Sequence, residues 1–303
     1  MTPEGLKKIV EATDKLPVKV IYEDLFQPGL KKAGEALGTL VEFGTIPFLP
    51  LKLLNARANL LFGKNIVRYE RKLEKIQNEP TIQVPEYIGI PILEKFTYLN
   101  NNVLSEAFAN LLAKASFEST LGIVHPRLLS ILDNLSADEA KLLVEIKDLE
   151  QIPFLDLNVI QVPNLSKDYS FLSTPKQEIT LGLLNSIEQC VNVQAAYNLT
   201  GLEHKVNLDF PENIDLYIEN LEFNGLIRFV RNKNSLSDTN TYNKLESDFY
   251  ATSIEEFKKD VKEIEAEMGD NFTYKAEIQY GYFHFTEIGK LFLKACINDI
   301  EEI

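Results

Sequence analysis

Apolar residues in the first half of this chain recur at helical spacing, in short runs punctuated by proline and by helix-capping residues. Residues 3–14 predict an opening helix, and Val18–Tyr22 a brief extended run. Gln27-Pro28 then introduces a glycine-bearing helix, GLKKAGEALGTLVEFG, stopped by Pro47 and Pro50. From about Leu51 to Ile76, Leu53, Leu60 and Val67 fall seven residues apart, which predicts a packed stripe along a long helix. Pro80, Pro85 and Pro91 predict an extended connection over 78–91. Helices resume near Ile92 and Leu104, the latter running through Phe108, Leu111 and Leu112 to Ala115. His125-Pro126 opens another, because proline lacks only an N–H that the first helical turn leaves unused. Ser136-Ala137-Asp138-Glu139 is a capping box for the one after it. Up to about residue 150 the pattern predicts helices alone.

Beyond that point the period changes. Phe154–Val162 alternates like a strand, residues 163–178 read as a polar loop, and a helix is predicted from about Ile179 to Tyr197. A helix with Ile214, Leu216, Tyr217, Ile218, Leu221 and Phe223 ends at Gly225 and runs into the strand Leu226–Val230. Tyr274–Phe285 is again extended and leads through Thr286-Glu287 into a last helix, Ile288–Ile297. Helix, strand, strand, helix in that order predicts a winged-helix-like α+β module over 151–303, with a long wing insert at about 232–273. Residues 1–150 form the predicted helical bundle. The fold class expected is mainly α with a small α+β part.

Within the insert, Ser253-Ile254-Glu255-Glu256 has the form of a capping box. Ile254, Phe257, Val261, Ile264 and Met268 follow at spacings of 3, 4, 3 and 4. This seam either packs on its own domain or meets a partner or second copy, and two heptads do not make a coiled coil.

Charge sharpens the picture. The net charge is −14, yet residues 1–80 carry 13 bases against 10 acids, which leaves 18 bases and 35 acids in the remainder. Pro211–Gly225, the recognition element a winged helix would use, holds Glu212, Asp215, Glu219 and Glu222 and no base. A phosphate-facing helix needs the opposite sign, so the reading disfavours nucleic acid and favours protein contact or self-association. The mildly basic front leaves conditional membrane contact open. There Ala36–Leu54 is apolar, but its longest uncharged stretch, Phe43–Leu51, is half of a transmembrane span. Gly34 and Gly38, four apart, allow close helix packing and mark a candidate effector element, either within a bundle or released to a membrane. The opening MTPEGLKKIVEATDKL carries acids where a signal peptide needs an apolar core, so a cytoplasmic location is expected, with peripheral contact at the inner membrane as a variant.

Chemistry is harder to find. Cys190 and Cys296 form no spaced cluster, and His125, His204 and His284 have no metal-spaced neighbours. No HExxH, paired CxxC, G-x-S-x-G or Walker loop occurs, so no catalytic residue, cofactor or metal site is assigned. His125 is the histidine to watch. At the mouth of a helix a charged imidazole would oppose the dipole, so the expectation is a neutral ring that fixes the helix entry.

Several of these stretches, in this order, resemble the abortive-infection alpha family of bacteria. The resemblance starts at Tyr22-Glu23-Asp24-Leu25 and Gln27-Pro28 and continues through Leu37-Gly38. It is clearest over Phe108-Ala109-Asn110-Leu111-Leu112-Ala113, Val124-His125-Pro126 and Leu135–Leu143. It resumes at Asn220-Leu221, Gly225-Leu226-Ile227, Phe285-Thr286, Gly289 and Phe292. It implies antiphage defence and supplies no catalytic residues, and the 232–273 insert has no counterpart in it. The reading ranks a defence protein acting through protein contacts first, an enzyme of unknown chemistry second and a winged-helix transcriptional regulator third.

Overall fold

A computed structural model describes residues 49–76, 79–163, 191–231, 236, 239–268 and 272–300. The chain is mainly helical with one small four-stranded antiparallel sheet. Among the described residues, those before Asp148 group with those from Glu287 onward as one compact unit, and Asp148–Thr286 forms a second.

Among the described residues the first unit begins with α1, Leu49–Leu73. Its buried side carries Leu61, Phe62, Ile66 and Tyr69. This corrects the expected stripe: Leu60 is 59% exposed and Val67 36%, so these two members of the seven-residue repeat lie on the outer side of the helix. Two apolar stripes run along α1, and periodicity alone does not say which one the bundle covers. The next helix, α2, spans Glu86–Phe96 with Pro85 as its N-cap and Pro91 inside it, where an extended connection was expected. Ile88, Ile92, Leu93 and Phe96 give it a fully buried stripe, whose burial outweighs the backbone cost of one internal proline. Helix α3, Asn102–Lys114, starts where the Asn101 side chain accepts the Leu104 N–H. Asn65 on α1 donates to the carbonyls of Phe96 and Leu99 at 3.1 and 3.0 Å, which caps the end of α2.

Two short helices follow as the sequence predicts, α4 over Pro126–Asp133 and α5 over Ala137–Ile146. The Ser136–Glu139 capping box is fully formed, with both the hydroxyl and the carboxylate receiving a backbone amide.

In the second unit, β1 (Ile152–Pro163) lies between β2 (Val191–Leu199) and β4 (Phe272–Phe285), antiparallel to both. Helix α6 (Ile214–Phe223) leads into β3 (Ile227–Val230), which pairs with β4 and completes the order β2-β1-β4-β3. Strand β2 corrects the helix expected up to Tyr197. Val193 and Tyr197 are 53% and 38% exposed on this edge strand, so its apolar residues do not mark a single buried face. The earlier part of that expected helix, 179–190, lies outside the described residues.

Between β3 and β4 the described residues hold a continuous helical stretch. It comprises α7 (Thr239–Leu245), a π-type turn over Glu246–Tyr250 and α8 (Ala251–Met268). Ser253 therefore sits inside a helix and caps nothing. Ile254, Phe257 and Val261 pack with Tyr242, Leu245 and Tyr250 against Leu155 and Leu157 of β1, forming the core beneath the sheet. On the alternate residues of the strands, Phe154 meets Phe229 edge-on at 5.2 Å, and Phe229 meets Phe283 at 5.6 Å. Phe154 lies over Gly281, its register partner, where even a β-carbon would come within 2.3 Å of the ring.

After β4 the chain enters α9, Glu287–Phe292, and a π-type turn over Leu293–Ile297. These belong with the first unit because their terminal carbonyls are held by α3. Asn110 Nδ2 donates to Cys296 O and Ile297 O at 2.9 and 3.3 Å. Lys114 Nζ donates to Lys294 O and Asn298 O at 2.6 and 2.5 Å. A helix end leaves such carbonyls without intrahelical partners, and two residues one turn apart on α3 supply them.

Candidate interaction face

Helix α6 presents the clearest candidate surface. Pro211 starts a tight 3-10 turn that feeds the helix. Tyr217, Ile218 and Leu221 form its buried side. At the far end the Gly225 N–H reaches Glu222 O at 2.8 Å and the Leu226 N–H reaches Leu221 O at 2.9 Å. Gly225 has φ +75°, so the helix closes in a Schellman turn that only a left-handed residue permits. Thr286 Oγ1 donates to Gly225 O at 2.5 Å, which ties that turn to the end of β4. The outer side of α6 is thereby held rigidly, and it is an unusual one. Leu216 is 61% exposed and Phe223 89%, interleaved with exposed Glu219 and Glu222 and preceded by exposed Glu212.

Behind the helix start lies a carboxylate cluster. Burial pushes the Asp215 carboxyl above its ordinary range, and the charges of Glu203 and Glu219 push the same way. The charges of Glu219 and then Asp215 raise the Tyr197 phenol. Tyr250 donates its hydroxyl to Glu203 Oε1 and accepts the Gly201 N–H at 2.8 Å. Glu203 Oε2 is buried without a hydrogen bond. His204 Nε2 lies 3.5 Å from Glu203 Oε1, and its ring stacks on Phe249 at 5.3 Å. The cluster concentrates negative charge at the start of α6, and Tyr250 ties the π-type turn to Gly201 and Glu203. Among the described residues no three His, Cys, Asp or Glu side chains converge as a metal site.

A second polar network lies at the end of β3. Arg231 donates to Asp156 and, at 2.7 Å, to Asn198 Oδ1, while its guanidinium sits 4.8 and 4.6 Å from the ring centroids of Phe154 and Phe229. Asp156 also accepts the Asn198 N–H at 2.9 Å, and Asn198 has φ +55°. The arrangement pins the three strands at an irregularity in the β1–β2 register. Its chemistry is that of a structural clamp, with each acceptor bonded and the cation stacked.

The residues singled out from sequence fall as follows. His125 is the N-cap of α4, and its Nδ1 accepts the Arg127 N–H at 3.1 Å, so the imidazole fixes the helix entry. Ile254, Phe257 and Val261 are buried in the core of their own unit, while Ile264 is 37% exposed. Gly34 and Gly38 lie outside the described residues. No helix of the described residues is long and apolar enough to cross a membrane. The sequence assigned no structural role to Asn110, Lys114 or Arg231, the last standing there only as a base flanking the acidic helix. The first two had a signal: polar residues one helical turn apart in the otherwise apolar FANLLAKA.

Compared with known proteins, residues 62–296 match the family described as Abortive infection alpha. No curated protein and no solved structure matches the chain.

Proposed function

The chain belongs to the abortive infection alpha family, and from that premise we propose that it is a bacterial antiphage defence protein working through protein contacts at the outer face of α6. One observation carries this reading. A phenylalanine 89% exposed and a leucine 61% exposed share a rigidly capped helix with glutamates and no base. Large apolar side chains held in water at fixed spacing suit a protein partner, and the acids select its charge. In this proposal α6, β3, the helical insert and β4 form a winged-helix-like module with a long wing. Its helix faces protein and not nucleic acid, because a helix whose outer side bears Glu219 and Glu222, with Glu212 just before it, repels a phosphate backbone. The front of the chain, with Gly34 and Gly38, is assigned the effector step, in conditional contact with the inner membrane from a cytoplasmic location.

Phage challenge tests the proposal. Cells expressing the wild type are expected to plate phage poorly. Cells expressing an equally abundant Leu216→Glu, Phe223→Glu variant, with unchanged circular dichroism, are expected to plate it normally. Full protection by that variant sinks the α6 assignment. A well-expressed wild type that leaves plating unchanged counts against defence itself.

A further inference from the structure

The outer side of α1 carries a second ordered surface. Arg57, Leu60, Lys64, Val67 and Arg71 are all exposed and fall within a sector of roughly 80° at 100° per residue. Bases and apolar residues alternate along it until Glu74 ends the series. Beside it lies a cleft of about 600 Å³ whose walls include Leu60, Leu61, Val67 and Leu99. Arg68 flanks that cleft but is already engaged by Glu106, Asn65 and Asn102.

Set antiparallel, this ridge and the face of α6 are complements. From Leu60 through Lys64 and Val67 to Arg71 the steps are 4, 3 and 4 residues. From Phe223 back through Glu219 and Leu216 to Glu212 they are again 4, 3 and 4. At 1.5 Å per residue the two apolar pairs are each about 10 Å apart, so one docking register satisfies the three positions that lie on α6 itself. Leu60 meets Phe223, Lys64 meets Glu219 and Val67 meets Leu216, while Arg71 is left at the end that carries Glu212, in the 3-10 turn before the helix. Phe223, the more exposed apolar residue of the pair on α6, arrives at the cleft beside Leu60, which is large enough for an aromatic ring.

We propose that α1 of one copy of this chain docks antiparallel on α6 of a second copy. Both ridges are exposed, and the same sequence carries both halves of the contact. The contact joins different patches on the two copies, so it is heterologous. It closes into a dimer or ring if the geometry repeats on itself, and otherwise grows as a filament. The charged rungs set orientation and register, and the apolar rungs supply the burial. The inference rests on the reading of α6 as a contact surface and names the partner.

Charge exchange on the full-length chain tests it. Lys64 and Glu219 are exposed, so neither substitution disturbs a core. By sedimentation velocity the wild type is expected to self-associate below a concentration of about 1 mM, a binding free energy beyond roughly −4.1 kcal/mol. Lys64→Glu and Glu219→Lys are each expected to weaken association about tenfold or more. The double variant, and an equimolar mixture of the two single variants, are expected to recover it. A wild type that stays monomeric throughout that range overturns the proposal, whether the ridges are unpaired, paired within one chain or paired with another protein. Association that ignores both reversals, or that the double variant fails to recover, overturns it equally. Failure of the parent reading looks different. If the copies pair as described but Glu219→Lys protects cells fully, the pairing stands and its role in defence falls. If the wild type is monomeric but loses protection with Phe223→Glu, the reverse holds.

Discussion

Lys114 is fully buried, and its ammonium caps the last turn of the chain's closing helix. Replacing it with methionine keeps the bulk of the stem and removes the charge. The carbonyls of Lys294 and Asn298 then lose a charged donor. A hydrogen bond to a charged group contributes about 1.5–3 kcal/mol, and a buried carbonyl left without a partner costs about 1–3 kcal/mol. The attraction between a cation and a helix C-terminus adds about 0.3–2 kcal/mol. Against these stands relief from desolvating a charge, which is several kcal/mol for one buried ion. That relief is gained once, whereas two carbonyls are abandoned and the helix end loses its counter-charge. We therefore expect a net loss of about 2–4 kcal/mol in the docking of the closing helix. Cys296 on that helix is the reporter. It is completely buried, and burial pushes its thiol well above the ordinary range, so it reacts only when the helix opens. In a Cys190→Ser background, labelling of Cys296 by a thiol reagent is expected to accelerate roughly 30- to 900-fold in Lys114→Met. An unchanged or slower rate refutes the reasoning, because it means that desolvation outweighs the two hydrogen bonds.

Two further outcomes follow from the second unit. Gly281→Ala places a β-carbon against the Phe154 ring and is expected to cost about 1–3 kcal/mol, read as a lower urea midpoint at constant slope. A double variant with Phe154→Leu should recover part of that loss, and full additivity of the two would show that the ring is not the obstacle. Burial and the charges of Glu203 and Glu219 raise Asp215 in the folded state, so folding favours its protonated form. That advantage is present below the unfolded Asp value and disappears as pH rises through the folded one. Asp215→Asn is accordingly expected to stabilise the protein at neutral pH, with the gain shrinking as pH falls through the raised folded value and gone below the ordinary carboxylate range. A destabilised variant at pH 7 would show that the carboxylate's attraction to the start of α6 is the larger effect.

What the sequence made legible are the features settled within a few residues. The capping box at Ser136, proline in the first turn of α4, the left-handed Gly225 and the alternation of β1 and β4 each depend on local geometry, and each is where the pattern puts it. The failures share a different cause. β2 carries apolar residues on an exposed edge, Pro91 sits in a helix held by its buried stripe, and α1 has two apolar stripes of which the bundle covers one. In each case tertiary contact decides between readings that local pattern leaves equal. The α8 seam is the same problem in reverse. Its period was plain, but what covers it comes from Leu155 and Leu157, about a hundred residues earlier in the chain.

The residues that carry the family resemblance explain why it conveys architecture without a reaction. Asn110 caps the closing helix, His125 and Ser136 start α4 and α5, and Leu221 and Leu226 close α6 around Gly225. Thr286 holds that same turn, and Phe292 is buried in the closing helix. These side chains and backbones satisfy helix ends or joints between elements. The exposed ridges proposed as contact surfaces lie elsewhere, at Leu216, Glu219 and Phe223 on α6 and at Leu60, Lys64 and Val67 on α1. A scaffold is recognised by its caps because buried amides and carbonyls admit few partners, whereas an exposed ridge is constrained only by whatever docks there. The matched segments thus hold each ridge firmly within its own unit. In the proposed contact the charges and apolar rungs set the pairing, so exchanging Lys64 with Glu219 is expected to reverse the charged rung, restore association and leave the fold alone.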